Sequence, residues 1–475
     1  MYDYDLIVIG SGPAGEKGAA QAAWFGRRVA LIEKLPVTGG ACVNTGTVPS
    51  KTLREAALQL SGLKQREVYG LDFALQRNVG IAALTNRRIQ VIERQHEQIE
   101  ANLVRHRVER YHGKARFLSP HELLIENGGS GQRITADVVL IATGSSPYRP
   151  PLFPFDGVTI CDSDSILELD RIPRSLAVVG AGVIGCEYAS IFGALGVPVH
   201  LIDGRHELLP HLDRELVSVL LAAMSRRLNV TPHLGAGVKG VREGVELELD
   251  DDSVVNADVV LVAAGRSSNT ADLGLEAAGV TTGIRGAIEV NERFQTNVAN
   301  IYAAGDVIGF PALASTSMEQ ARVAMVHAFD LKYKTEVSPV LPYAIYTIPE
   351  IAMVGFTEEQ CIEQGRNVAV GRARFEASAR GQIIGDEEGL IKLVFDADTL
   401  ELLGVHIVGE SASELLHVGS MVMHFGGTIN AFIESVFNYP TLSDGFKYAA
   451  YDGLGNIARA KTFAVLGDGA TAGQA

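Results

Sequence analysis

The sequence predicts an α/β protein of several domains, and three observations carry that prediction. Its 475 residues are too many for one hydrophobic core. Its composition, 47% apolar and 20% charged with 51 glycines, fits a fold rich in strand-to-helix turns. Finally, one pattern occurs twice: an apolar run, a glycine-rich turn and a small-residue helix stand near residue 10 and again near residue 180.

The first copy reads Leu6-Ile7-Val8-Ile9, then Gly10-Ser11-Gly12-Pro13-Ala14-Gly15, an Ala-rich helix, and a strand from Arg28 to Ile32 that ends at Glu33. The second reads Leu176-Ala177-Val178-Val179, then Gly180-Ala181-Gly182-Val183-Ile184-Gly185, a helix, and a strand from Val197 to Ile202 that ends at Asp203. In each the acidic residue follows the third glycine by 18 positions. A lone G-x-G-x-x-G is weak evidence. Set between two strands and completed by a carboxylate, it predicts a Rossmann-like dinucleotide-binding unit. The glycines let the backbone approach a pyrophosphate, and the helix start offers unpaired N–H groups and a favourable dipole. Glu33 is placed to accept hydrogen bonds from a ribose. Asp203 favours the ribose 2′-hydroxyl of NAD, whereas Arg205 is suited to the 2′-phosphate of NADP. Both together suggest tolerance of either nucleotide and leave the preference open.

Residues 85–106 read as an amphipathic surface helix with Ile89, Ile92, Ile99 and Leu103 on one stripe. The segment Pro147-Tyr148-Arg149-Pro150-Pro151-Leu152-Phe153-Pro154 reads as a crossing between domains. Strand-like Asn300 to Gly305, ending at Asp306, suggests a return to the first domain. From about residue 340 no dinucleotide pattern appears, and strand-like runs such as Leu390 to Phe395 alternate with helical ones. A Gly- and Ala-rich tail closes the chain and is expected to be flexible.

The formal net charge of −15 argues against a nucleic-acid or anionic-membrane partner, and no apolar run is long enough to span a bilayer. The first residues lack a basic leader and run into a strand, which disfavours a secretory signal. Four cysteines, at 42, 161, 186 and 361, show neither metal-ligand nor disulfide-framework spacing. Together these features suggest a cytoplasmic protein, and no metal site is expected.

The stretch Gly39-Gly40-Ala41-Cys42-Val43-Asn44-Thr45-Gly46-Thr47-Val48-Pro49-Ser50-Lys51 resembles the active-site helix of the flavoprotein disulfide reductases, where two cysteines lie five positions apart over the flavin. Here Thr47 stands in the partner position and cannot close a disulfide with Cys42. The resemblance extends to Ala142-Thr143-Gly144 and Ala263-Ala264-Gly265-Arg266, which look like the strand ends closing the two nucleotide sites. It also covers Gly305-Asp306, whose aspartate the resemblance places against the ribityl and phosphate region of FAD. The resemblance implies FAD on the first unit and NAD(P) on the second. It puts Lys51 near the flavin N5, paired with Glu187 from the second glycine-rich helix. In Phe437-Asn438-Tyr439-Pro440-Thr441-Leu442-Ser443-Asp444, Tyr439 takes the place of the family's histidine and Asp444 that of its glutamate. A phenol with pKa near ~10 is a poor base for thiol chemistry at neutral pH. Both halves of the thiol apparatus are therefore expected to be missing, and Cys42 reads more readily as an inert small hydrophobe than as a nucleophile.

Across roughly residues 3–460 the chain is similar to the soluble pyridine nucleotide transhydrogenases, within that larger family. This implies an FAD-binding domain at 1–150 and 271–340, an NAD(P)-binding domain at 151–270, a C-terminal α+β dimerisation domain at 341–465, and a tail at 466–475. The activity implied is hydride exchange between NAD(P)H and NAD(P)+ through FAD in a homodimer. Two alternatives stand: reduction of a quinone or other diffusible acceptor, and a redox-sensing flavoprotein that binds nucleotides without turnover.

Overall fold

The computed structural model describes residues 1–62, 81–242 and 245–471. Contacts divide the chain into two compact units, one of residues 1–56, 81–172 and 261–338, the other mainly of Pro173–Val260 and the chain from Pro339 onward.

In the first unit the strands β1 (Tyr4–Ile9), β2 (Val29–Glu33), β3 (Glu109–His112), β4 (Lys114–Ser119), β5 (Glu122–Asn127) and β6 (Ser130–Ile141) lie in the order β3-β2-β1-β6-β5-β4. The pairs β1–β2, β2–β3 and β1–β6 are parallel, and strand Ile301–Ala303 adds parallel to β6. Side chains alternate across a strand, so a sheet covered on both faces needs an apolar residue at every position. Leu6 and Val8 face helix α1 (Pro13–Trp24), Ile99 and Leu103 of helix α4 (Ile81–Arg105), and Ala321 and Met325. Ile7 and Ile9 instead join Phe117, Leu123 and Ile125 of the antiparallel ribbon β4–β5. Each such side chain contributes roughly 1.5–3 kcal/mol when fully buried. Between β2 and α4 lie two helices that carry the cysteine motif, α2 (Gly40–Asn44) and α3 (Thr47–Leu60).

Three sequence expectations shift here. Ile89 of α4 is 44% exposed whereas Arg88 is buried, because the Arg88 guanidinium donates to the Leu167 carbonyl at 2.6 Å. The proline-rich connector does not leave the first unit; the boundary falls between Ile172 and Pro173. It stays because strand β7 (Ser145–Pro147) pairs antiparallel with Arg266–Ser268, and Arg149 forms an ion pair at 2.7 Å with buried Asp162. Gly265 and Arg266, which follow strand Val259–Val262 of the second glycine loop's sheet, group by contacts with the first unit, because the division falls within that strand after Val260.

In the second unit, strands Val230–Leu234, Val199–Asp203, Leu176–Val179 and Val259–Val262 lie side by side in that order, with helix Val183–Ala194 following the second glycine turn. The C-terminal part is a five-stranded antiparallel sheet in the order Tyr343–Ile345, Glu350–Gly355, Leu402–Gly409, Leu390–Asp396, Val368–Arg374. Helix Gly445–Thr471 packs so closely on its edge that a Cβ on Gly371 would stand 1.9 Å from the Ala449 carbonyl oxygen. That helix runs into the segment expected to be a tail; residues 472–475 lie outside the described residues.

Candidate active site

The first nucleotide loop is built by sterics. Gly10 has φ +101°, and a Cβ there would meet the Ala142 carbonyl oxygen at 2.4 Å. A Cβ on Gly15 would lie 1.9 Å from the Gly10 carbonyl oxygen, so the helix can sit this close only on glycine. On Gly12 it would meet nothing nearer than Gly40 Cα at 3.8 Å, so the loop's open side is at the helix start. No side chain caps α1 there, and Pro13 at its first position has no N–H to satisfy. Glu33 closes the loop from the strand end. It accepts from the Ser11 amide at 2.9 Å, the Ser11 hydroxyl at 2.6 Å and the Leu35 amide at 2.9 Å.

The fold brings the distant first-unit residues to this loop. Ala142-Thr143-Gly144 follow β6, and the Ala142 amide donates to the Ile9 carbonyl at 2.9 Å. Thr143 and Asn269 exchange hydrogen bonds at 2.9 Å each. A Cβ on Gly305 would stand 3.2 Å from the Ala14 methyl, which places Asp306 at the start of α1. Asp306 accepts from the Ser145 hydroxyl at 2.9 Å, and Arg266 donates to that same hydroxyl at 2.8 Å and to the Ser145 carbonyl at 2.7 Å.

Gly39 and Gly40 wrap onto the loop: the Gly39 amide donates to the Ser11 carbonyl at 3.2 Å, and a Cβ on Gly40 would press on Gly12 Cα at 2.8 Å. Beside them the buried hydroxyl of Thr38 has no hydrogen-bond partner. The set fits a dinucleotide: open amides, a strand-end carboxylate, and a buried hydroxyl that no protein group satisfies. Ser11, Thr38 and Ser145 were missed in the sequence. Their signal was only adjacency to glycine turns.

Cys42, in α2, is half-buried and its thiol is free. Burial pushes that thiol up, with the Asp306 charge adding to the effect; a hydrogen bond with the Thr47 side chain and the charge of Lys51 oppose it. Thr47 is exposed and therefore occupies, as a hydroxyl, the place where a second sulfur would be needed. Lys51 lies one turn further along α3, half-buried, with Nζ 3.4 Å from the Ser50 hydroxyl.

The second loop repeats the first. Gly180 has φ +107°, a Cβ on Gly185 would stand 1.8 Å from the Gly180 carbonyl oxygen, and one on Gly182 would meet nothing within 4 Å. The amides of Val183, Ile184 and Gly185 open the helix, again with no side-chain cap. Asp203 accepts from the Ala181 amide at 2.7 Å and from the Arg205 amide at 2.9 Å. Its remaining partner is the Arg205 guanidinium, at 3.0 Å from Nε and 2.7 Å from Nη2. Burial works to raise the Asp203 pKa, but the Arg205 and Ala181 hydrogen bonds outweigh it and hold the carboxyl below the usual range. Further along the helix Glu187 is buried and accepts from the Tyr346 amide at 2.9 Å. Cys186 is fully buried with its thiol on the Ala181 carbonyl, and Cys161 is pushed up to about 11 by burial, so neither is a nucleophile at neutral pH.

Tyr439 is 75% exposed, and Asp444 lies in the turn Leu442–Asp444. Phe425, Val436 and Tyr448 of the C-terminal part are exposed as well. No cluster of three metal-ligating side chains occurs among the described residues, and no described helix is long and apolar enough to cross a membrane.

Two glycine-rich βαβ loops, a cysteine motif against the first and an antiparallel C-terminal sheet define a two-nucleotide oxidoreductase. Residues 4–328 match the pyridine nucleotide-disulphide oxidoreductase model and residues 341–450 the dimerisation domain of the same family. The chain belongs to that family, whose members use FAD and NAD(P), and it carries the family's dimerisation domain. Among its relatives it is 44% identical to the soluble pyridine nucleotide transhydrogenase of Mycobacterium bovis (strain BCG / Pasteur 1173P2), over 95% of this chain and 97% of that protein. It is 40% identical to the protein of that name from Colwellia psychrerythraea, over 96% and 99%. Two solved structures share the fold. The HOCl-induced flavoprotein disulfide reductase RclA from Escherichia coli has TM-score 0.84 and 28% identity over 94% of this chain and 99% of that one. LpdA from Mycobacterium tuberculosis has TM-score 0.85 and 29% identity over the same shares.

Proposed function

We propose that this enzyme exchanges hydride between NAD(P)H and NAD(P)+ by way of FAD, in the manner its transhydrogenase relatives are named for, and that it does so without a dithiol relay. The observation that carries the reading is that Cys42 is a free thiol with a threonine, Thr47, five positions on, where a redox pair would need two sulfurs. FAD, when bound, supplies a carrier able to take up and return two electrons with a proton. Around it, Gly10, Gly12, Ala14 and Gly15 serve the pyrophosphate through backbone, Glu33 serves the adenosine ribose, and Asp306 and Thr38 serve the chain between them. Lys51 is the cation that stabilises electron density arriving at the ring. Gly180, Gly182, Gly185 and Asp203 hold the nicotinamide nucleotide. Four free cysteines fit a reducing cytosol.

Anaerobic turnover of NADPH with thio-NAD+, free thiols absent, is the test. Steady exchange is expected, with benzoquinone a slower acceptor and lipoamide or oxidised glutathione inert. Turnover of either disulfide, or of the quinone alone, would overturn the reading. Lys51→Ala is expected to keep its yellow colour while flavin reduction, followed by stopped flow, slows about a hundredfold. Wild-type traces would remove Lys51 from the mechanism.

A further inference from the structure

The strand-end carboxylates of the two units share the same backbone frame and differ in what fills the remaining space. Each accepts from the amide after the first glycine (Ser11, Ala181) and from the amide two residues beyond itself (Leu35, Arg205). In the first unit the Ser11 hydroxyl completes the set. In the second, Ala181 has no hydroxyl, and the Arg205 guanidinium takes both Asp203 oxygens.

We propose that Asp203 and Arg205 form a nucleotide selector with two settings, which deepens the reading above by explaining how one site serves both NAD(H) and NADP(H). With NADP(H) the pair stays closed. Arg205 neutralises the carboxylate that would otherwise repel the 2′-phosphate, and the N–H groups not spent on Asp203 bind that phosphate. With NAD(H) the pair opens, and Asp203 accepts from the ribose 2′-hydroxyl while Arg205 turns to solvent. Arg205 is 52% exposed, so its guanidinium can turn to water while the ribose 2′-hydroxyl takes its place on Asp203. Asp203 is 9% exposed and held by the Ala181 and Arg205 amides, so it remains oriented in both settings. Rigid acid and movable base divide the two tasks. Hydride exchange at a single site requires both substrates to be accepted there, and a fixed carboxylate alone would admit only one.

Direct binding tests the selector separately from turnover. The FAD-loaded protein is titrated calorimetrically with NAD+ and with NADP+, at low and high salt. Wild type is expected to bind both within about tenfold of each other, with NADP+ the more weakened by salt. Arg205→Gln is expected to weaken NADP+ roughly tenfold to a hundredfold, leave NAD+ within about threefold, and erase the difference in salt response. Asp203→Asn is expected to weaken NAD+ about tenfold and spare NADP+. Arg205→Lys, which keeps charge but loses the fork, is expected to fall between wild type and Arg205→Gln for NADP+ and guards against a folding defect. An unchanged NADP+ to NAD+ ratio in Arg205→Gln, or a wild type that binds only one nucleotide, would overturn the selector. A flavin that NAD(P)H leaves oxidised despite normal binding would sink the exchange reading and leave the selector standing.

Discussion

The two glycine loops have the same geometry and opposite electrostatic character. Around the first, Glu33 is satisfied by the Ser11 and Leu35 amides and the Ser11 hydroxyl, with no cation in that hydrogen-bonding set among the described residues. Around the second, Asp203 is satisfied by amides and a guanidinium. The first loop is also closed over by Gly39 and Gly40. At Gly182 of the second, a Cβ would meet nothing within 4 Å among the described residues. A resident cofactor needs one fixed, enclosed set of partners, whereas a substrate that comes and goes needs an open loop and partners that can change. Under the proposed function, with FAD on the first loop and the nicotinamide nucleotide on the second, the difference between the loops follows those needs.

The largest effect should come from the third glycines, where a methyl group would press directly on backbone. Gly15→Ala and Gly185→Ala each force a helix away from a carbonyl oxygen, at on the order of 3 kcal/mol. Gly15→Ala is expected to purify without the absorbance near ~450 nm that a bound flavin gives. Gly185→Ala should keep that absorbance and lose NAD(P)H-driven flavin reduction. Loss of flavin from both variants equally would break the division of labour between the loops.

A smaller effect is expected for Glu33→Gln, which keeps shape and removes the charge that holds the Ser11 amide, its hydroxyl and the ligand. FAD affinity, read from fluorescence of released flavin, should fall about tenfold with nicotinamide affinity unchanged. An equal fall in both would place Glu33 outside the first site.

The smallest effect sharpens the contrast between the cysteines of the two units. Cys42 is half-buried and Cys186 is sealed. Because the Cys42 pKa is raised, its thiol is protonated at neutral pH. Labelling by iodoacetamide should therefore be slow at pH 7 and climb as pH rises past the ordinary thiol range of about 8.5. Thr47→Val removes the hydrogen bond that favours the thiolate and should slow labelling further, by about threefold. Cys186 should stay unlabelled by mass spectrometry. Fast labelling of Cys42 at pH 6 would show an activated thiol and reopen nucleophilic chemistry there.

Much of the site was legible because its rules are local. A helix can start against a strand only if the third residue lacks a Cβ, so Gly15 and Gly185 announce themselves. The carboxylate's distance in sequence from that glycine follows from one helix and one strand of standard length. Less legible was everything that depends on a partner from elsewhere. Arg266 follows a strand of the second sheet, and what the sequence did not show is that the ribbon with β7 also ties it to Ser145 and through Ser145 to Asp306. Ile89 fell on the apolar stripe of α4, yet Arg88 is the buried residue because a carbonyl from residue 167 receives it. Lys392, flanked by apolar residues in its strand, is 1% exposed and is held by Asp213 at 2.8 Å, Glu358 at 2.7 Å and Glu215 at 3.2 Å. Burial works to lower its pKa, and the Asp213 and Glu358 carboxylates outweigh it.

The chain's own order of residues determined that there are two dinucleotide loops, which carboxylate closes each, and that one thiol stands without a sulfur partner. These follow from steric and hydrogen-bond demands met within a few tens of residues, so a linear reading reaches them. Only the folded molecule decided which charges neutralise which: Arg205 with Asp203, Arg149 with Asp162, Lys392 among three carboxylates. Electrostatic pairing depends on distance in space and on exclusion of water, and separation along the chain specifies neither.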